Sequence, residues 1–171
     1  DNYLHDNRCQ GFFVKDQASL GGVSGPIHGI TVEDNLFLRN KEPCAPTAPG
    51  CGQPIYFHVF GPYDGFTMTR NTIWGDGYDS IAAFREGTGP DTLIADNVIY
   101  RLWTDTNMSG ATVRENTVCV LEAGAGGSWP VLRPGETRTC SLTFPGTTTD
   151  DYRLAGGRGI DWAPSERHFG P

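Results

Sequence analysis

The sequence predicts an all-β chain wound as a parallel β-helix, and three observations carry that expectation. Of 171 residues, 23 are glycine and 12 proline, and only 19% are charged. Such a mix suits many short strands joined by tight turns. No window places apolar residues at i, i+3, i+4 and i+7 over three turns, so no amphipathic helix is expected. The third observation is an internal repeat built around one asparagine, the signature of a solenoid.

Four segments superpose: GITVEDNLFL, GFTMTRNTIW, TLIADNVIY and ATVRENTVC. They align Asn35, Asn71, Asn97 and Asn116. Three positions earlier stand Val32, Met68, Ile94 and Val113; two positions later stand Phe37, Ile73, Ile99 and Val118. Five positions earlier are Ile30, Phe66 and Ala111, with Thr92 as the polar exception, and Asn2 with Leu4 forms a partial first copy. The apolar residues alternate with period two before the asparagine and again after it, while the step of three between them breaks strand parity. Two short strands therefore meet at a bend. The asparagine is expected at that corner, in the left-handed conformation such a bend requires. If coils stack at about 4.8 Å, the corner amides align and hydrogen-bond from coil to coil as a buried ladder.

The copies are spaced by 33, 36, 26 and 19 residues. The shortest interval approximates a bare coil, and the longer ones carry insertions at 17–29 and 40–54. Between ladder positions a second row of strands is expected in GFFVKDQ (11–17), PIYFHVFG (54–61) and SIAAFREG (80–87). Residues 1–120 read as coils that continue upstream of residue 1, and 121–171 as a loop-rich cap of the same domain over the last coil, shielding open strand edges. Among five cysteines, Cys44 and Cys51 bracket one Pro/Gly-rich loop, and Cys119 and Cys140 flank another. Each pair is expected to form a disulfide, which implies an oxidising compartment. Cys9 either pairs with a cysteine upstream or packs as a buried thiol.

The asparagine-corner repeats resemble right-handed parallel β-helix proteins of the pectate-lyase-like superfamily, over roughly residues 1–120. The ending DYRLAGGRGIDWAP (151–164) is similar to a tail on bacterial secreted β-helix proteins. The resemblance implies a secreted, carbohydrate-active protein, in the enzyme case a polysaccharide lyase or epimerase on acidic glycans. The alternative is a non-catalytic glycan-binding or structural module of the cell exterior.

A formal charge of −7 disfavours nucleic acid, which needs a basic stripe. It disfavours a polyanion too, unless a cation such as Ca²⁺ intervenes. No apolar run reaches the roughly 20 residues of a membrane-spanning helix, and a monomer is expected. The second strand row supplies the strongest chemical constellation: Lys15 with Asp16, His58, and Arg85 with Glu86. β-Elimination from a uronate needs a base for the C5 proton and positive charge for the enolate. Lys15, His58 and Arg85 are the candidate catalytic groups, with Asp16 and Glu86 binding substrate or, in a hydrolase, acting as paired carboxyls. The same residues read equally as surface ion pairs at strand ends, each contributing little. A second cluster, WGDGYDS (74–80), offers Trp74 and Tyr78 as sugar platforms and Asp76 and Asp79 as Ca²⁺ ligands, or simply a glycine-rich turn.

Overall fold

The structure, a computed structural model, describes residues 2–5, 12–15, 27–38, 55–60, 63–74, 81–85, 91–104, 111–123, 135, 137–142, 144, 153–154 and 158–161. Its strands are β1 (Asn2–His5), β2 (Phe12–Lys15), β3 (Ile27–His28), β4 (Thr31–Glu33), β5 (Asn35–Leu38), β6 (Ile55–Phe60), β7 (Tyr63–Asp64) and β8 (Thr67–Thr69). They continue with β9 (Thr72–Trp74), β10 (Ile81–Arg85), β11 (Thr92–Ala95), β12 (Val98–Thr104), β13 (Ala111–Arg114), β14 (Thr117–Ala123) and β15 (Thr137–Arg138). Every strand pair among them is parallel.

Strands β4, β8, β11 and β13 stack in sequence order as one sheet. After the asparagine corner, β1, β5, β9 and the first half of β12 stack as the next wall, continued by β14 and β15. Further along each coil, β2, β6, β10 and the second half of β12 form a third row, and β3 with β7 a short fourth pair. The chain is a parallel β-helix-like solenoid, as its repeat predicts.

The ladder is built atom by atom. Asn2 Nδ2 donates to Asn35 Oδ1 at 2.8 Å, Asn35 to Asn71 and Asn71 to Asn97 at 3.0 Å, and Asn97 to Asn116 at 2.9 Å. The backbone N–H groups of Asn35, Asn71 and Asn97 donate to the same Oδ1 atoms at 2.9–3.0 Å. Nδ2 of Asn71 and Asn97 also donates to the carbonyl two residues back and to a carbonyl of the preceding coil, Val32 O and Met68 O. Asn71, Asn97 and Asn116 are fully buried, and burial is tolerable because both ends of each amide are satisfied.

The corner differs from expectation in one respect. The left-handed residue is not the asparagine but the one before it: Asp34, Arg70, Asp96 and Glu115 have φ of 53–57°. The asparagine itself begins or immediately precedes a strand, where extended backbone aims its amide along the stack. The left-handed position thus falls to residues whose side chains reach the surface. Arg70 bridges Asp34 at 2.6 and 2.8 Å and Glu33 at 2.5 Å, one coil away. A second left-handed column lies six residues before the ladder, in Gly29, Gly65 and Asp91 at φ 60–62°. Glycine meets that demand without the Cβ penalty, and aspartate is among the residues that tolerate it best.

Inside the coils, Val32, Phe37, Phe66, Met68, Ile73, Ile94, Ile99, Leu102, Val113 and Val118 form one continuous core. A second cluster lies outside the tube, where Leu36 and Leu38 pack under Ile160, Trp74 and Phe144. That cover is a strap from the end of the chain. Arg158 donates to Thr137 Oγ1 (2.9 Å), Thr117 Oγ1 (3.2 Å) and the Gly135 carbonyl (2.6 Å). Gly159 N donates to Asp96 O at 2.7 Å, and Ile160 N to Thr72 Oγ1 at 3.2 Å. The described part of 121–171 therefore adds β15 beyond the last full coil and then runs back along the side wall.

Cys119 and Cys140 form the expected disulfide, with Cα atoms 4.4 Å apart, tying β14 to the residues just after β15. Cys9, Cys44 and Cys51 lie outside the described residues. Closing a loop of this sequence separation, 21 residues, should contribute about 3 kcal/mol through the unfolded chain. The double substitution Cys119→Ser with Cys140→Ser is expected to lower the unfolding free energy by about that amount in denaturant titration. An unchanged midpoint would show that the bridge leaves the unfolded ensemble unconstrained.

Candidate functional site

The third strand row carries Lys15, His58 and Arg85, the three candidate catalytic groups the sequence singles out. Its inward positions are fixed by Leu102, which is buried in the core with Phe12 and Leu121 packed against the same cluster. Leu102 is in register with Ala82 and Leu121, Ala82 with Phe57, and Phe57 with Phe12. Strand alternation then assigns Trp103, beside Leu102 and partly exposed, to the opposite face.

Two register lines run beside this one. One runs Lys15–Phe60–Arg85 across β2, β6 and β10. The other runs Phe13–His58–Ala83–Trp103–Glu122 across five coils. Lys15 and Arg85 thus share a line, two strands apart, with Phe60 between them. His58 is displaced two residues along the strand. The sheet is irregular beside these lines: Ile81 pairs with Ile55 but Ala82 with Phe57, so β6 carries an extra residue at Tyr56. Such bulges re-aim flanking positions and recur beside functional sites.

Trp74 lies elsewhere, on β9 of the preceding wall. Its ring meets Tyr100 edge-on at 5.1 Å and Phe144 at 5.3 Å, so its described contacts belong to the strap and the wall beneath it. Asp16, Glu86, Asp76, Tyr78 and Asp79 lie outside the described residues. Among the described residues, no group of three His, Cys, Asp or Glu side chains is placed to share a metal ion.

Charge around the coils is unevenly committed. Arg70 is held by Asp34 and Glu33, and its hydrogen bond to Asp34 pushes its already high pKa further up. Arg114 pairs with Glu115, and Arg158 with hydroxyl and carbonyl groups. These cations serve the corners and the strap.

Several participants escape a reading of sequence alone. Phe13 stands in register with His58, and Phe60 with Lys15 and Arg85; the period-two spacing within each strand was the available signal. Arg158 and Gly159 carried no local signal, because their partners lie far away in sequence.

The fold and its ladder define the chain as a parallel β-helix-like solenoid. Comparison with known proteins adds no relative: no family model, no curated protein and no solved structure matches the chain.

Proposed function

We propose that the protein is a secreted, carbohydrate-active β-helix whose third-row outer face binds an acidic glycan and cleaves it by β-elimination. The observation that carries this reading is the register that pairs Lys15 with Phe60 and Phe60 with Arg85 across three strands, with His58 two residues along the middle one. In an overall acidic chain, basic and aromatic residues at positions in register suit a uronate polymer: cations pair with carboxylates and rings cover the apolar faces of sugars. The Cys119–Cys140 bridge fits an extracellular setting.

In the proposed reaction a basic side chain of the line removes the C5 proton. The electron pair forms the C4–C5 double bond, and the O4 substituent leaves with a proton. The second cation, with Ca²⁺ where the substrate recruits it, stabilises the negative charge on the carboxylate-conjugated carbon.

The test is incubation with pectate, alginate and glycosaminoglycans, with and without Ca²⁺, following ultraviolet absorbance of unsaturated uronates. Lys15→Ala and Arg85→Ala are each expected to reduce the rate by at least about 100-fold. Absence of unsaturated product from every polymer overturns the lyase reading. The second reading, a glycan-binding module, is favoured by the aromatic centre of the line, Phe60; it predicts retention of the polymer without turnover.

A further inference from the structure

The strap that covers the side wall is gripped at a segment that the disulfide fastens. We propose that the Cys119–Cys140 bridge is a redox latch for the strap. Oxidised, it seats residues 158–160 on the wall; reduction releases them while the coils stay wound.

Bridge and strap meet at β15. That strand is two residues long, Thr137 and Arg138, and both are exposed. Thr137 N donates to Asn116 O at 2.9 Å, and Thr139 N to Val118 O at 3.0 Å. Two backbone bonds do not by themselves offset the entropy of closing a loop of this separation, 21 residues. The bridge closes that loop covalently, because Cys140 follows Thr139 directly and Cys119 follows Val118.

Arg158 grips what the bridge seats. Its shorter bonds, to the Gly135 carbonyl at 2.6 Å and Thr137 Oγ1 at 2.9 Å, go to the β15 segment. Those beside β14, to Thr117 Oγ1 at 3.2 Å and Asn116 O at 3.5 Å, are longer. Phe144, four residues past Cys140, meets the Trp74 ring edge-on at 5.3 Å. When β15 detaches, Arg158 loses its two shorter bonds and Phe144 its nearby tether. The strap is then left to the Gly159 and Ile160 amides and the packing of Ile160. As it lifts, Leu36, Leu38 and Trp74 of the wall are uncovered.

Cys140 is exposed, whereas Cys119 is buried, so a reductant meets the strap side of the bridge. A thiolate of an external dithiol attacks Cys140 Sγ, the S–S bond breaks, and Cys119 leaves as a thiolate that takes a proton. The second thiol of the dithiol then displaces Cys140 and closes its own disulfide. Two electrons and two protons pass to the cysteines.

The measurement is amide hydrogen exchange of the whole protein, oxidised and in dithiothreitol, beside the Cys119→Ser, Cys140→Ser double variant without reductant. Reduction should speed exchange at Thr137 and Ile160 by at least about tenfold and leave Asn97 unchanged. The double variant should reproduce that pattern, and Arg158→Gln should loosen Ile160 with the bridge intact. An Ile160 amide that stays protected in dithiothreitol, or in Arg158→Gln, overturns the latch. So does a loosening absent from the double variant, which would belong to other cysteines. Loss of protection at Asn97 as well overturns it too, since the bridge would then be holding the coils themselves.

Discussion

Replacing Asn71 with alanine should lower the unfolding free energy by about 3–5 kcal/mol, the sum of two or three buried polar groups left without partners. Asn71 Oδ1 receives both the backbone N–H and the side-chain amide of Asn35, and its Nδ2 serves Val32 O, Thr69 O and Asn97 Oδ1. Alanine can replace none of these, and the site is fully buried, so water offers no substitute. The melting midpoint should fall by roughly 10 °C in calorimetry. Asn2→Ala is the internal control. Asn2 is exposed and makes a single ladder bond, and its loss should cost under about 1 kcal/mol. Equal losses at the two positions would show that the ladder does not hold the coils.

Asn71→Asp sharpens the test through pH. A carboxylate keeps the accepting role but cannot donate, so it would face three acceptor oxygens. The folded state therefore favours the protonated acid and raises its pKa above the unfolded value of about 4. A raised folded pKa means that stability is retained below the unfolded pKa and lost as pH rises through the folded one. The variant should approach the parent protein in acid and fall progressively below it toward neutrality. A deficit independent of pH would contradict the donor geometry.

The second large effect is expected at Gly159. A Cβ there would lie 2.5 Å from Thr72 Oγ1 and 2.8 Å from Val98 Cγ2, and the backbone sits at φ +73°. Thr72 and Val98 are themselves fully buried in the wall, so neither can move away cheaply. Gly159→Ala therefore combines a left-handed alanine, about 1–2 kcal/mol, with overpacking of about 1–3 kcal/mol. The strap should lift locally while the coils persist. Hydrogen exchange would report it: the Gly159 and Ile160 amides, bonded to Asp96 O and Thr72 Oγ1, should lose protection, and Asn97 should keep it. Full protection of Ile160 in the variant would mean that the strap is not seated as described.

The reach of the sequence differed by feature, for physical reasons. The ladder was legible because a stacked amide column demands the same residue at the same turn in every coil, with apolar neighbours at fixed offsets. The identity of the left-handed residue was not. Asp34, Arg70, Asp96 and Glu115 share no side-chain character, since the constraint at their position is on backbone rather than chemistry. The Cys119–Cys140 bridge was legible because it closes a local excursion. The strap was not, because Arg158 and Ile160 bond to residues 41 and 88 positions earlier, and no periodicity connects them.

The candidate site falls between these cases. Strand parity could assign Lys15, His58 and Arg85 to one kind of row, but insertions of unequal length separate β2, β6 and β10, so their mutual register could not be counted from the chain. Pairing decided it, setting Lys15 and Arg85 in line across Phe60 and shifting His58 by two residues. By itself, then, the sequence determined the solenoid, its buried asparagines and the Cys119–Cys140 disulfide, because these rest on local period, repeated residue type and local loop closure. The tertiary structure alone decided which corner residue turns left-handed, which residues of the third row pair across coils and where the chain's end lies against the wall. Those outcomes depend on stacking between segments that sequence distance does not relate.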